Sequence, residues 1–160
     1  MKRFEKIFTE NYLKYHHIPI ADNSLDPRVF IFFEDSRDPE LLPAARTHIL
    51  RDIQYLNDIE AIGTNTRILD YAIVDSVLLP HAESNCTVDI IVQLNTANLQ
   101  DVLKERLINA TVALNKRKLT DSNHFINYQL TVNRLNFDKN KYVFHPYYNK
   151  WIKKPKHLGN

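Results

Sequence analysis

The chain predicts an α+β (α/β) fold, a mixed β-sheet covered by helices, on three observations. Residues 86–94 and 125–135 alternate apolar and polar side chains with the period of a strand. Between them, residues 99–114 repeat apolar side chains with the period of a helix, as residues 42–56 do earlier in the chain. With 44% hydrophobic content in 160 residues there is material for one substantial core, so a single domain over residues 1–160 is expected.

Element by element, Phe4, Ile7, Phe8, Tyr12 and Tyr15 recur at helical spacing. They predict an amphipathic N-terminal helix within residues 1–20, ending near His16-His17 before Pro19 and either packing on the domain or docking to a partner. A polar connector at 22–26 leads to a short hydrophobic strand at 28–34. Asp38 and Pro39 read as the cap and first turn of the next helix, with Leu42, Ala45, Ile49, Ile53 and Leu56 as its buried stripe.

In the next strand Val88, Ile90, Val92 and Leu94 face the core, and Thr87, Asp89, Ile91 and Gln93 face the other way. The following helix buries Leu99, Val102, Leu103, Leu107, Ala110 and Leu114 as the crossover or cover of an α/β unit. The strand after it sends Ile126, Tyr128, Leu130 and Val132 inward, leaving Asn127, Gln129, Thr131 and Asn133 as a polar, uncharged face.

Several function classes are excluded. Two glycines are too few for a P-loop or a dinucleotide fingerprint, both of which bring backbone against phosphate at several positions. One cysteine allows no internal disulfide, and Cys86 reads as a small buried hydrophobe. Seven histidines show neither HxxxH nor HxH spacing, so no zinc site is expected. The first residues lack the apolar stretch of a secretory signal, and no apolar run approaches a membrane span. A cytoplasmic protein with no membrane partner is expected.

Asp89 is a lone acid in a strand pattern. Two acids two residues apart on one face are what a hard cation such as magnesium takes as ligands, and here the upstream neighbour is neutral Thr87. From residue 39 to 155 the layout resembles the small phage-encoded members of the polymerase-beta-type nucleotidyltransferase superfamily. Their plan is a helix, a strand ending in Gly-Ser, a short helix, a strand with Asp-x-Asp, a long helix and a strand with a third acid. The resemblance puts the first strand at residues 68–74, Asp75-Ser76 at the Gly-Ser position, residues 86–89 at Ser-Asp-x-Asp and Gln129 at the third acid; residues 148–155 resemble the tail of the same viral group.

The departures fall on the chemistry. Asp75 replaces the glycine, Thr87 the first acid and Gln129 the third, whereas metal-assisted transfer relies on those carboxylates. The resemblance therefore implies a phage protein, in the host cytoplasm, that has lost nucleotidyl transfer, needs no cofactor, and binds a nucleotide, a nucleic acid or a phage or host protein. Ser76 and Gln129 would face the nucleotide. One alternative is an active enzyme with a rearranged acid set, in which Asp89 and Asp75 are catalytic, Glu83 completes the cluster and Asp89 holds magnesium. A second is a virion or assembly component that docks through its N-terminal helix and tail.

That tail, residues 139–160, holds six lysines and no acid in a chain of net charge +2, so the part before it is net negative. Lys150, Lys153, Lys154 and Lys156 with Trp151 are the pattern of a single-stranded nucleic-acid surface, since lysines neutralise phosphates and aromatics stack on bases. The competing reading has Tyr142, Phe144 and Trp151 closing the core. The acceptor, the nucleotide, the partner and the oligomeric state are not legible in the sequence.

Overall fold

The computed structural model describes residues 25–35, 37–60, 66–79 and 85–155. The expected N-terminal helix, Glu83 and Lys156 lie outside the described residues. The described elements run β1 (Phe30–Ile31), β2 (Glu40–Leu41), α1 (Pro43–Asp58), β3 (Ile68–Val74), a single 3-10 turn (Ser76–Leu78), β4 (Val88–Leu94), α2 (Asp101–Leu114), β5 (Ile126–Thr131), β6 (Val143–His145) and β7 (Lys150–Lys153). This is the mixed α+β architecture expected from the two periodicities.

The main sheet has the order β5-β4-β3-β6-β7. Four of its strands join through antiparallel pairs; β4 and β5 are parallel, which requires a crossover, and α2 supplies it. The strand β4 alternates as predicted, with Val88, Ile90, Val92 and Leu94 buried and the residues between them half-exposed. In β3 the register to β4 shifts between Ile68 and Asp70, leaving Leu69 exposed. Such a bulge lets both Ile68 and Tyr71 reach the same core despite their odd spacing.

The two faces of the sheet are unequal. One carries the main core, in which Ala45, Ile49, Ile53 and Leu56 of α1 and Leu103, Leu107 and Leu114 of α2 pack on Tyr71, Ile73, Ile90, Val92, Ile126 and Tyr128. On the other, Ala72, Val74 and Val143 form a small cluster with Ile91 and Phe137. Ile91 lies two residues beyond Asp89, so Asp89 belongs to this thinly covered face.

Some boundaries differ from expectation. The helix begins at Pro43, not at Pro39: residues 40–41 are drawn into pairing with β1, and Pro43 takes the first helical position, where its missing N–H costs nothing. The strand expected at 28–34 is only Phe30–Ile31, because β2 offers two residues to pair with. Val102 is 62% exposed rather than buried, while Thr111 takes a buried place on α2. Among the described residues no helix is long and apolar enough to cross a membrane.

Candidate functional site around Asp89

Asp89 stands second in β4, close to where the turn after β3 returns alongside. Ser76 Oγ donates to its Oδ2 at 2.7 Å, Thr87 Oγ1 to Oδ1 at 2.8 Å and Asn127 Nδ2 to Oδ1 at 3.1 Å. Asn127 reaches it because the parallel register sets Asp89 directly opposite Asn127. Three neutral dipoles therefore carry one half-buried carboxylate, an arrangement that stabilises the charge without a cation.

Gln129 is not in this group. It pairs with Ile91, two residues further along β5, and its side chain is exposed. The residue that shares Asp89's position across the strands is an amide nonetheless, Asn127, which the sequence shows only as one member of a polar face.

Asp75 explains how the chain turns without the glycine. Its φ of 42° and ψ of −134°, followed by φ 37° at Ser76, fall where a Cβ is unfavourable, at a cost on the order of 1–3 kcal/mol. The segment 140–142 offsets that cost. Lys141 and Tyr142 donate their backbone N–H groups to Asp75 Oδ1 at 2.8 and 3.0 Å, Asn140 Nδ2 donates to Oδ2 at 3.0 Å, and Asp75 N–H donates to Tyr142 O at 3.0 Å. The carboxylate thus anchors the segment 140–142 and makes no hydrogen bond to the short turn's own amides.

Among the described residues no three His, Cys, Asp or Glu side chains stand together to hold a metal. The donor set at Asp89 does not fit a two-metal centre either: hydroxyl and amide protons point at the one carboxylate that would have to be a ligand.

The basic tail is structurally committed. Trp151 stacks on Phe30 with ring centroids 5.8 Å apart and meets Phe144 edge-on at 5.1 Å, while its Nε1 donates to Pro39 O at 3.0 Å. Lys153 Nζ donates to Phe137 O at 2.6 Å and to Asn140 O at 3.2 Å, and Lys154 pairs with Asp38 at 2.9 Å. Of the described lysines singled out on the tail, only Lys150 reaches solvent without such a tie on its side chain. The aromatics close the core, as the competing reading had it.

Sequence reasoning missed the buried polar couplings. His124 and Asp26, both fully buried, meet at 2.6 Å between Nε2 and Oδ2, and Arg28 adds a two-pronged contact to the same carboxylate. His124 Nδ1 donates to Cys86 O at 2.7 Å. Burial alone would push the imidazole down, but the hydrogen bonds to Asp26 and to Cys86 together outweigh it and raise His124 to about 9. Burial would likewise raise Asp26, yet His124 and Arg28 hold it below its ordinary value. A second buried group joins Tyr128 OH, Asp52 and His48: the hydroxyl donates to Asp52 Oδ2 at 2.7 Å, and desolvation pushes that phenol well above its ordinary range. The sequence carries no spacing signal for pairs formed 98 and 76 residues apart.

No family model, no curated protein and no solved structure matches this chain.

Proposed function

We propose that the chain is a nucleotidyltransferase-fold protein of phage origin that has lost nucleotidyl transfer and acts by binding a nucleotide. The element order supports this reading: α1, β3, a Ser76 turn, β4, α2 and β5 follow one another as the resemblance implies. The carrying observation is Asp89, whose oxygens are taken by Ser76, Thr87 and Asn127 where transfer would require further acids. Uncharged hydroxyls and amides can both donate and accept, which suits base and sugar edges and offers no place to a catalytic metal pair.

A nucleotide is preferred to a single-stranded nucleic acid because Trp151 is already stacked inside the protein and Lys153 and Lys154 are engaged there. The test is incubation of the purified chain with labelled nucleoside triphosphates, magnesium or manganese and candidate acceptors. No label should transfer, while equilibrium dialysis should find nucleotide bound. Metal-dependent transfer lost on Asp89→Ala would instead establish the active enzyme with a rearranged acid set.

A further inference from the structure

Cys86 stands just before β4 between the exposed residues Asn85 and Thr87, and it is partly exposed where the sequence suggested a buried hydrophobe. Against it lies His124, whose side chain is wholly buried. The ring's Nδ1 is 3.6 Å from Cys86 Sγ and 2.7 Å from Cys86 O, and its Nε2 is 2.6 Å from Asp26 Oδ2. Sulfur, imidazole and carboxylate therefore stand in the order of a nucleophilic cysteine, its histidine and the acid that orients the ring.

The protons on the ring follow from its partners. A carbonyl only accepts, so Nδ1 carries the proton shared with Cys86 O. The Asp26 carboxyl is held below its ordinary range and is ionised, so it accepts too, and Nε2 carries a second proton. His124 is thus an imidazolium, consistent with its rise to about 9. It offers the sulfur a positive charge, not a base. The charge balance points the same way: His124 and Arg28 bring two cations to the one carboxylate of Asp26, an excess of one positive charge in a group closed off from most solvent. A negative sulfur at Cys86 would neutralise that excess. A cation beside a partly exposed sulfur is what separates reactive cysteines from inert buried ones.

We propose that Cys86 is a site of reversible modification by low-molecular-weight disulfides, with the His124 imidazolium stabilising the sulfur as it attacks. Cys86 gives its proton to solvent and its sulfur attacks one sulfur of R–S–S–R. The S–S bond breaks, a Cys86–S–S–R bond forms, and R–S⁻ leaves and takes up a proton, so Cys86 is oxidised as half of the disulfide is reduced. A second thiol reverses the step. No atom of the Asp89 group takes part, so the site stands whether or not that group binds nucleotide.

The test treats the full chain with hydroxyethyl disulfide, a small neutral probe, at about pH 6, where an ordinary thiol is almost wholly protonated. Adduct formation is followed by mass spectrometry, and because Cys86 is the chain's only cysteine the adduct assigns its own position. The reference is the same chain unfolded in urea, which keeps the thiol and removes His124 from it. We expect the native chain to react at least about tenfold faster than the unfolded one. Equal or slower reaction of the native chain would overturn the proposal, and that comparison needs no variant. His124→Gln sharpens it, since Asp26 stays paired with Arg28 while the cation next to the sulfur is gone. The advantage should shrink to within about threefold of the unfolded chain; full advantage in folded His124→Gln would remove the imidazolium from the account.

Discussion

Two aspartates near the start of β4 are stabilised in opposite ways. Asp26, fully buried, is neutralised by charge, with His124 and Arg28 against its oxygens; Asp89, half-exposed, is carried by three neutral donors. The difference follows from solvent. An ion sealed in a core costs several kcal/mol unless an opposite charge meets it, whereas one near water needs only dipoles. Asp26 is therefore a structural fastener tying the connector before β1 to the ends of β4 and β5, and Asp89 remains a polar group that a ligand can address.

A third carboxylate on the same strand gives the upper limit of the comparison. Val92→Asp puts an acid on the fully buried face of β4, with neither charge nor dipoles to meet it. The penalty of several kcal/mol is comparable to a typical total stability of about 5–15 kcal/mol, so the variant should fail to fold. A soluble Val92→Asp chain with a cooperative melt would show that the strand faces are reversed.

Asp26→Asn should cost about 3–5 kcal/mol in urea denaturation, because it leaves His124 and Arg28 without their counter-charge. The same pair sets a pH dependence. His124 rises from an ordinary 6.5 to about 9 on folding, so its contribution is fully present below pH 6.5 and is lost as pH climbs through 9. At its full extent it is on the order of 3 kcal/mol. Asp26 is lowered, so its contribution is present above its ordinary value of 3.8 and is lost as pH falls further. Denaturation midpoints between pH 6.5 and 9.5 should fall as pH rises in the natural chain and stay nearly flat in Asp26→Asn. Parallel curves would mean that His124 is not held protonated by Asp26.

Asp89→Asn should cost less, about 1–3 kcal/mol, since three charge-assisted hydrogen bonds weaken but solvent can re-enter. A cost equal to that of Asp26→Asn would erase the distinction drawn between the two sites. Lys150→Gln, on the exposed side of β7, should lie within about ±0.5 kcal/mol by thermal melting.

The sequence was most legible where periodicity is dense. The strand β4, the inner face of α1 and most of that of α2 follow from alternation and helical spacing, whereas the bulge at Leu69 breaks the alternation of β3, and Val102 and Thr111 depart from the stripe expected of α2. The start of α1 was ambiguous because two prolines, Pro39 and Pro43, each suit a first helical turn, and only the β1–β2 pairing decides between them. Asn127 and Gln129 were indistinguishable for a similar reason: a shift of two residues keeps every side chain on its face, so alternation finds the face but not the partner. Trp151 and the tail lysines carry the composition of a nucleic-acid surface, yet their positions are set by Phe30, Phe144 and loop carbonyls distant in the chain. Composition does not encode such contacts.

The proposal that transfer is lost while nucleotide binding remains is tested most directly by titrating nucleoside triphosphates into the chain with and without magnesium, in parallel with Asp89→Ala. The account predicts binding whose affinity changes by less than about twofold when magnesium is withheld, and which weakens in Asp89→Ala as the Ser76–Asp89–Asn127 network is lost. Binding that appears only with magnesium would contradict it, as would no binding under either condition.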